Sequence, residues 1–250
     1  MKAKNKEIQK AGMRLNRFLA ACGLGSRRSA EKLIAEGRVF INGRKASSPG
    51  LRVGADDLVE VDGVSAKPKE SLHVLLNKPR GVVCSVKDPH NETVLELLPP
   101  GYARLGVFPV GRLDKMSEGL IILSNDGEMA FQLTHPSFGT EKSYDVLMKD
   151  PVKTCQLSAL KNGTCIEGKL VRPSSVVLLP REPKDCWVRF VLREGIKREI
   201  RRISKEAGLD VQRLIRVGIG KMRLEKLKPG EWRSVTKKQL LRMINQGGFV

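Results

Sequence analysis

The chain has few of the residues from which metal centres and disulfide frameworks are built. Its five cysteines (Cys22, Cys84, Cys155, Cys165 and Cys186) are odd in number, widely scattered and contain no Cys-x-x-Cys pair. That argues against both a disulfide framework and a zinc site. The histidines His73, His90 and His135 also lack ligand spacing, so neither a metal nor a cofactor is expected. No apolar run approaches the ~18–20 residues that a spanning helix needs. The basic start, Met1-Lys2-Ala3-Lys4-Asn5-Lys6, is not followed by an apolar segment of signal-peptide type. A reducing cytoplasm with no membrane partner is the expected setting. The absence of a P-loop motif leaves a nucleotide-hydrolysing enzyme without support.

Acidic residues are scarce as well. The 27 Asp and Glu stand against 46 Lys and Arg, giving a formal net charge of +19 over 250 residues. The excess is concentrated. Residues 1–55 carry 13 basic and 3 acidic side chains, and residues 193–228 carry 12 and 5, balances of +10 and +7. Everything else sums to only +2. Two separated basic blocks around a near-neutral middle point to a polyanion gripped at two places, with nucleic acid favoured over a membrane surface. A hydrophobic content of 40% is ample for a packed core. The length suits one large domain, or a small one followed by a medium one.

Residues 1–12 read as a basic, flexible tail. From Met13, the apolar positions Leu15, Phe18, Leu19 and Cys22 fall at helical spacing, and Gly23 stops the helix. Ser26 reads as the N-cap of a second helix with Ala30, Leu33 and Ile34 inside and Gly37 at its end. Val39-Phe40-Ile41, the hairpin signal Asn42-Gly43, Leu51-Arg52-Val53 and Leu58-Val59-Glu60-Val61 are expected to complete a small sheet. Arg14, Arg17, Arg27 and Arg28 cluster around the helix ends. This unit, with Arg14-Leu15-Asn16-Arg17-Phe18-Leu19, Gly25-Ser26-Arg27-Arg28, Glu36-Gly37-Arg38-Val39 and Ile41-Asn42-Gly43, resembles the S-four RNA-binding module. The resemblance implies that those four arginines bind RNA. The boundaries expected are 13–65 for this module, 66–71 for a linker and 72–250 for a second domain.

The second region starts with the apolar strand Val74-Leu75-Leu76 running into Asn77-Lys78-Pro79, which is expected to shape a strand end. Strands are expected at 105–110, 120–124, 143–148, 170–172, 175–179, 187–193 and 231–235, and helices at 127–134, 153–161, 198–207 and 236–245. Irregular interleaving of this kind predicts an α+β domain around a mixed, largely antiparallel sheet.

Asn77-Lys78-Pro79-Arg80-Gly81, then Gly111-Arg112-Leu113-Asp114 and the residues after it to Gly127, then Glu141-Lys142-Ser143-Tyr144-Asp145-Val146, follow in order. Glu194-Gly195-Ile196-Lys197-Arg198-Glu199-Ile200-Arg201-Arg202 and Leu214-Ile215-Arg216-Val217 close the series. These motifs resemble the RsuA/RluB family of ribosomal-RNA pseudouridine synthases, over Met13 to about Val235, and lie nearest its large-subunit-acting branch. The resemblance implies isomerisation of uridine by one carboxylate at the anomeric centre, acting as nucleophile or as base. Asp114 matches that carboxylate, Tyr144 the active-site tyrosine, and Arg201 the arginine that pairs with the Asp. Arg112 matches the arginine that fills the space vacated by the flipped base, and Lys197 and Arg198 would line the same basic cleft. The plain alternatives are a turn cap for Asp114, a half-buried strand residue for Tyr144, a solvated helix charge for Arg201 and a phosphate contact for Arg112. Mild departures from the family pattern are Ile196-Lys197, Glu199 in place of a frequent Gln, and Ser117 in place of Thr. The expected partner is ribosomal RNA, of the large subunit (23S), bound by a monomer. Action on small-subunit 16S rRNA or tRNA, and a non-catalytic ribosome-assembly role, remain as alternatives.

Overall fold

The computed structural model describes residues 12–250, so the expected basic tail, Gly12 apart, lies outside the described residues. The chain divides into two compact units. The first holds the residues up to Ser71 together with Pro100–Val107 and Asn125–Gly127, and the second holds the remainder.

In the first unit, β1 (Met13–Arg14) leads into α1 (Leu15–Ala21) and α2 (Arg27–Ala35). There follow β2 (Val39–Ile41), β3 (Arg44–Lys45), β4 (Arg52–Val53), β5 (Val59–Val61), β6 (Val64–Ser65) and α3 (Gly101–Arg104). Ser26 caps α2 as its side chain predicts, accepting the Ser29 N–H at 3.1 Å. Asn42 and Gly43 both adopt positive φ, 51° and 74°, the signature of a type I′ hairpin turn between β2 and β3. Leu15, Leu19, Ala30, Val39 and Val59 form the buried centre. The small sheet runs β3-β2-β5-β6 and does not include Leu51-Arg52-Val53. Arg14 is extended, so Met13 and Arg14 pair with β4 instead of forming a first helical turn, and the Leu15 N–H donates to Leu51 O at 2.7 Å. The segments 100–107 and 125–127, placed by the sequence with the second domain, belong to the first unit. Hydrogen bonds hold them there: Lys69 Nζ donates to Arg104 O, and Asn125 Nδ2 to Glu70 O and Leu105 O.

The second unit contains β7 (His73–Lys78), β8 (Phe108–Val110), β9 (Glu118–Ser124), α4 (Gly127–Thr134), β10 (Lys142–Met148) and α5 (Thr154–Asn162). It continues with β11 (Thr164–Ile166), β12 (Lys169–Val171), β13 (Ser175–Leu178), β14 (Trp187–Leu192), α6 (Glu199–Glu206) and β15 (Val211–Ile219). Its last elements are β16 (Met222–Arg223), β17 (Trp232–Val235), α7 (Lys237–Gln246) and β18 (Gly248–Phe249). Most of these strands form one sheet ordered β13-β14-β10-β15-β9-β7-β17. Neighbours along it are antiparallel except β15 and β9, which are parallel in the register Ile215 to Glu118 and Arg216 to Gly119.

Alternation decides which side chains meet. Tyr144, Val146 and Met148 of β10 share one face with Val188, Phe190 and Leu192 of β14, and Ile200 and Ile203 of α6 pack against them. Leu75 of β7 and Leu120 and Ile122 of β9 build a second core with Met129 of α4 and Leu240 of α7. Every residue of β9 is buried, which explains its unbroken apolar run Leu120-Ile121-Ile122-Leu123. The fold is α+β, with a mixed and mostly antiparallel sheet, as the sequence predicts.

Candidate active site

Where the two cores of the second unit adjoin, a cavity of about 460 Å³ draws its wall from both. Asp114, Tyr144, Arg201, Arg112, Lys197 and Arg198 all line it, so residues far apart in sequence converge as the motifs predict.

Asp114 stands on the loop that enters β9, in a turn closed by the Ser117 N–H donating to Asp114 O at 2.9 Å. On one side the Leu113 N–H donates to Cys84 Sγ at 3.3 Å, and burial pushes that thiol's pKa up. On the other side Lys78, fully buried at the end of β7, donates from Nζ to Pro79 O at 2.8 Å and Lys115 O at 3.3 Å. Burial lowers the Lys78 pKa, since an ammonium loses its water there. Lys78 thus shapes the strand end and ties down the loop. Beyond the loop, Glu118 accepts two bonds from Arg213, at 2.8 and 2.7 Å, which lock β9 to β15. Gly119, at φ +105°, lies so close to β15 that a Cβ there would sit 2.3 Å from Arg216 O.

The charges are arranged differently from the sequence expectation in one respect. The ion pair at Asp114 is made by Arg198, Nη1 to Oδ2 at 3.8 Å, and not by Arg201. Arg198 occupies the N-cap of α6 in the left-handed conformation, φ 56°, which takes it out of the helical run that holds Arg201. Arg201 instead donates from Nη1 to Val211 O at 3.2 Å, and its Nε is buried with no partner among the described residues. Burial first, then the nearby Arg198, lower the Arg201 pKa, while the charge of Asp114 opposes them. Asp114 and Arg198 keep side-chain exposures of 42% and 53%, so the carboxylate sits at the cavity mouth and not in a closed pocket.

Tyr144, by contrast, is buried in the wall, paired across the sheet with Phe190 and Arg216. Arg216 is a site residue to which the sequence, beyond its place in the closing motif, assigns no role. It is 4% exposed, donates from Nε to Leu120 O at 2.6 Å, and has a buried Nη2 with no partner among the described residues. Lys142, two residues before Tyr144, also lines the cavity, and burial followed by Arg216 lowers its pKa. An arginine inside the apolar run Leu214-Ile215-Arg216-Val217 was the available signal for the first, and the strand period for the second.

Glu199 is buried, and its Oε2 accepts the Ile196 N–H at 3.2 Å. Burial raises its pKa above the usual carboxylate value, outweighing the bond from Ile196. A folded-state pKa above the unfolded one contributes stability below the unfolded pKa, and this is lost as pH rises through the folded value. Glu199→Gln keeps an oxygen for Ile196 and removes the charge. Its melting temperature at pH 7 is therefore expected to equal or exceed wild type, with the gap closing or reversing toward pH 4 in calorimetric scans.

In the first unit, Arg14 is the N-cap of α1, Arg17 lies within α1, and Arg27 and Arg28 open α2. Arg14, Arg27 and Arg28 are exposed, and neither helix has an acid in its first turn.

Comparison with known proteins places both parts of the chain in known families. Residues 72–206 match the RNA pseudouridylate synthase family, and residues 13–59 match the S4 domain. An uncharacterized RNA pseudouridine synthase of Aquifex aeolicus (strain VF5) is 38% identical over 240 residues, covering 95% of this chain and 96% of its own. The ribosomal large subunit pseudouridine synthase B of Bacillus subtilis (strain 168) is 32% identical over 232 residues, covering 92% and 95%. A crystal structure of a pseudouridylate synthase superposes with a TM-score of 0.65 at 28% identity, over 92% of this chain and 99% of that one. With an S4 domain ahead of a pseudouridylate synthase domain, the chain belongs to the RNA pseudouridine synthases, a family of isomerases.

Proposed function

We propose that the chain converts a specific uridine of large-subunit ribosomal RNA to pseudouridine, with Asp114 as the reacting carboxylate. The observation that carries this reading is the placement of Asp114 beside Arg198 at the mouth of a cavity walled by Tyr144. The reaction breaks the bond from uracil N1 to the ribose, turns the base, and joins carbon 5 to the same ribose carbon. The carbon 5 proton then leaves, and N1, which departed with the bonding electron pair, takes up a proton, so atoms and electrons balance without redox. Asp114 supplies the carboxylate that either route requires, attack on the anomeric carbon or removal of a sugar proton.

Arg198 orients the carboxylate, and Arg201 adds positive charge near it. Tyr144 offers a ring for the flipped base and a hydroxyl near its carbon 5 edge. Extruding the nucleotide costs roughly a few kcal/mol, and Arg112 at the cavity rim is suited to occupy the vacated space. The large-subunit choice rests on the Bacillus subtilis relative and on Glu199, which stands in place of a frequent Gln and resembles the large-subunit-acting branch.

The first unit supplies a separate hold on the RNA. Replacing Arg14, Arg17, Arg27 and Arg28 together by alanine is expected to weaken binding and flatten its salt dependence. Four lost phosphate contacts at about 0.7 each would reduce the slope of log K against log salt by roughly 2–3. Filter binding over a salt series reads this, and an unchanged slope would remove the first unit from the RNA interface.

The proposed activity is tested with the purified chain and transcripts of 23S rRNA, 16S rRNA and tRNA carrying 5-tritiated uridine. Bond formation at carbon 5 releases that tritium. Release of about one equivalent from the 23S transcript is expected, release from 16S or tRNA alone would reassign the substrate, and no release from any would overturn the proposal.

A further inference from the structure

Aromatic side chains are scarce in this chain: 2 Trp, 2 Tyr and 7 Phe. Two of the phenylalanines, Phe131 and Phe138, are each 53% exposed and share one cluster. The His135 ring lies 4.7 Å from Phe131 and 6.4 Å from Phe138, and the two phenylalanine rings are 5.8 Å apart at 83°. The backbone beneath them is well held. The His135 N–H donates to Phe131 O at 2.9 Å, the Phe138 N–H to His135 O at 3.2 Å, and the Ser137 N–H to His135 Nδ1 at 3.3 Å. A short 3-10 turn, Pro136–Phe138, fixes the third ring.

Such exposure forgoes apolar burial, which a soluble protein ordinarily exploits for large rings, and a preformed exposed cluster marks a contact surface. Its place in the chain says which contact. Leu133 and Thr134, directly before His135, line the catalytic cavity, and so do Lys142 and Tyr144 a few residues after Phe138. The rings therefore ride on a segment anchored to the cavity wall at both ends. Arg112, Lys197 and Arg198 are exposed at the same cavity and suit a phosphate backbone. Cations for phosphates beside rings for bases is the chemistry of single-stranded nucleic acid binding.

We propose that Phe131, His135 and Phe138 form a stacking platform for an unpaired base that neighbours the target uridine in the RNA. The inference rests on the RNA-modifying reading above, and gives the enzyme a contact that selects the context of its target. The platform touches a base other than the reacting one, so it governs binding and not the chemical step.

The test combines the Phe131→Leu/Phe138→Leu variant with abasic RNA. Leucine keeps an apolar side chain but has no π face, and the exposed positions should leave the melting temperature unchanged. The probe is the rRNA fragment from which wild type releases tritium, intact or with one abasic residue at each flanking position in turn. The Kd for the same RNA is measured alongside, so the platform is read by binding even if no RNA releases tritium. In that case a 23S fragment is used, and the failed reading is the proposed function.

On intact RNA the variant is expected to raise KM and Kd roughly tenfold, with kcat within about twofold. An abasic residue at one flanking position should cost wild type a similar factor, and the variant should lose nothing further on that RNA. A variant with wild-type Kd would overturn the platform. So would losses that multiply at every position, or a wild-type dimer that the variant dissociates with unchanged RNA affinity. The wild-type abasic series decides the matter even if the variant does not fold, because equal affinity for every abasic RNA contradicts the proposal.

Discussion

Asp114→Asn is expected to abolish tritium release from 5-tritiated RNA while leaving RNA affinity within a few-fold of wild type. The substitution keeps the shape of the side chain and removes its negative charge, so neither attack on the ribose nor proton abstraction can proceed. A lost base or nucleophile costs on the order of 10³-fold or more. The structural cost should be small by comparison. The pair with Arg198 spans 3.8 Å between two partly exposed side chains, and such pairs contribute about 0–1 kcal/mol. The turn itself is closed by the Ser117 N–H and the Asp114 backbone oxygen, which the mutation leaves in place. A melting curve beside the rate measurement separates the two effects. If Asp114 were only a surface partner for Arg198, the variant would retain most of its rate.

Gly119→Ala should damage the molecule through its backbone. A Cβ at this position would meet Arg216 O at 2.3 Å, Arg216 N at 2.6 Å and Arg216 C at 2.9 Å, and φ is +105°. All three atoms are main chain, on the strand paired in parallel with β9, so no flexible side chain can yield. The cost combines an unfavourable conformation with forced separation of two central strands, about 3–5 kcal/mol. For a domain of this size that lowers the melting temperature by about 10 °C. The displaced groups include Arg216 and the loop carrying Asp114, so activity should fall further than stability alone explains. Calorimetry together with tritium release checks both, and a melting temperature equal to wild type would contradict the close approach.

Local signals and long-range pairings differed in how well the sequence disclosed them. Ser26, Asn42-Gly43 and the glycines after α1 and α2 act through neighbours a few residues away, and the structure contains the elements they predict. The ordered motifs brought Asp114 and Tyr144 to one cavity. Strand β15 was harder to see. Its sequence, Val211-Gln212-Arg213-Leu214-Ile215-Arg216-Val217-Gly218-Ile219, mixes arginines into both faces, because Arg213 answers Glu118 and Arg216 is buried beside Leu120. Neither partner is visible until β9 lies alongside. The same reason explains the exchange of arginines at Asp114. A left-handed Arg198 before α6 is unusual for a residue other than glycine, and no local pattern announces it.

The pairing of β4 with β1 was likewise set by contacts some 40 residues apart, which the turn signals near either strand do not encode. Side-chain bonds from Lys69 and Asn125 to main-chain oxygens help tie the segments 100–107 and 125–127 into the first unit. Hydropathy carries no trace of such bonds.

The most direct measurement is a pseudouridine map of ribosomal RNA from cells lacking this gene, before and after its return as wild type or as Asp114→Asn. One large-subunit uridine is expected to go unmodified in the deletion, to be restored by wild type, and to stay unmodified with the mutant. An unchanged map in the deletion, or restoration by Asp114→Asn, would contradict the proposed function.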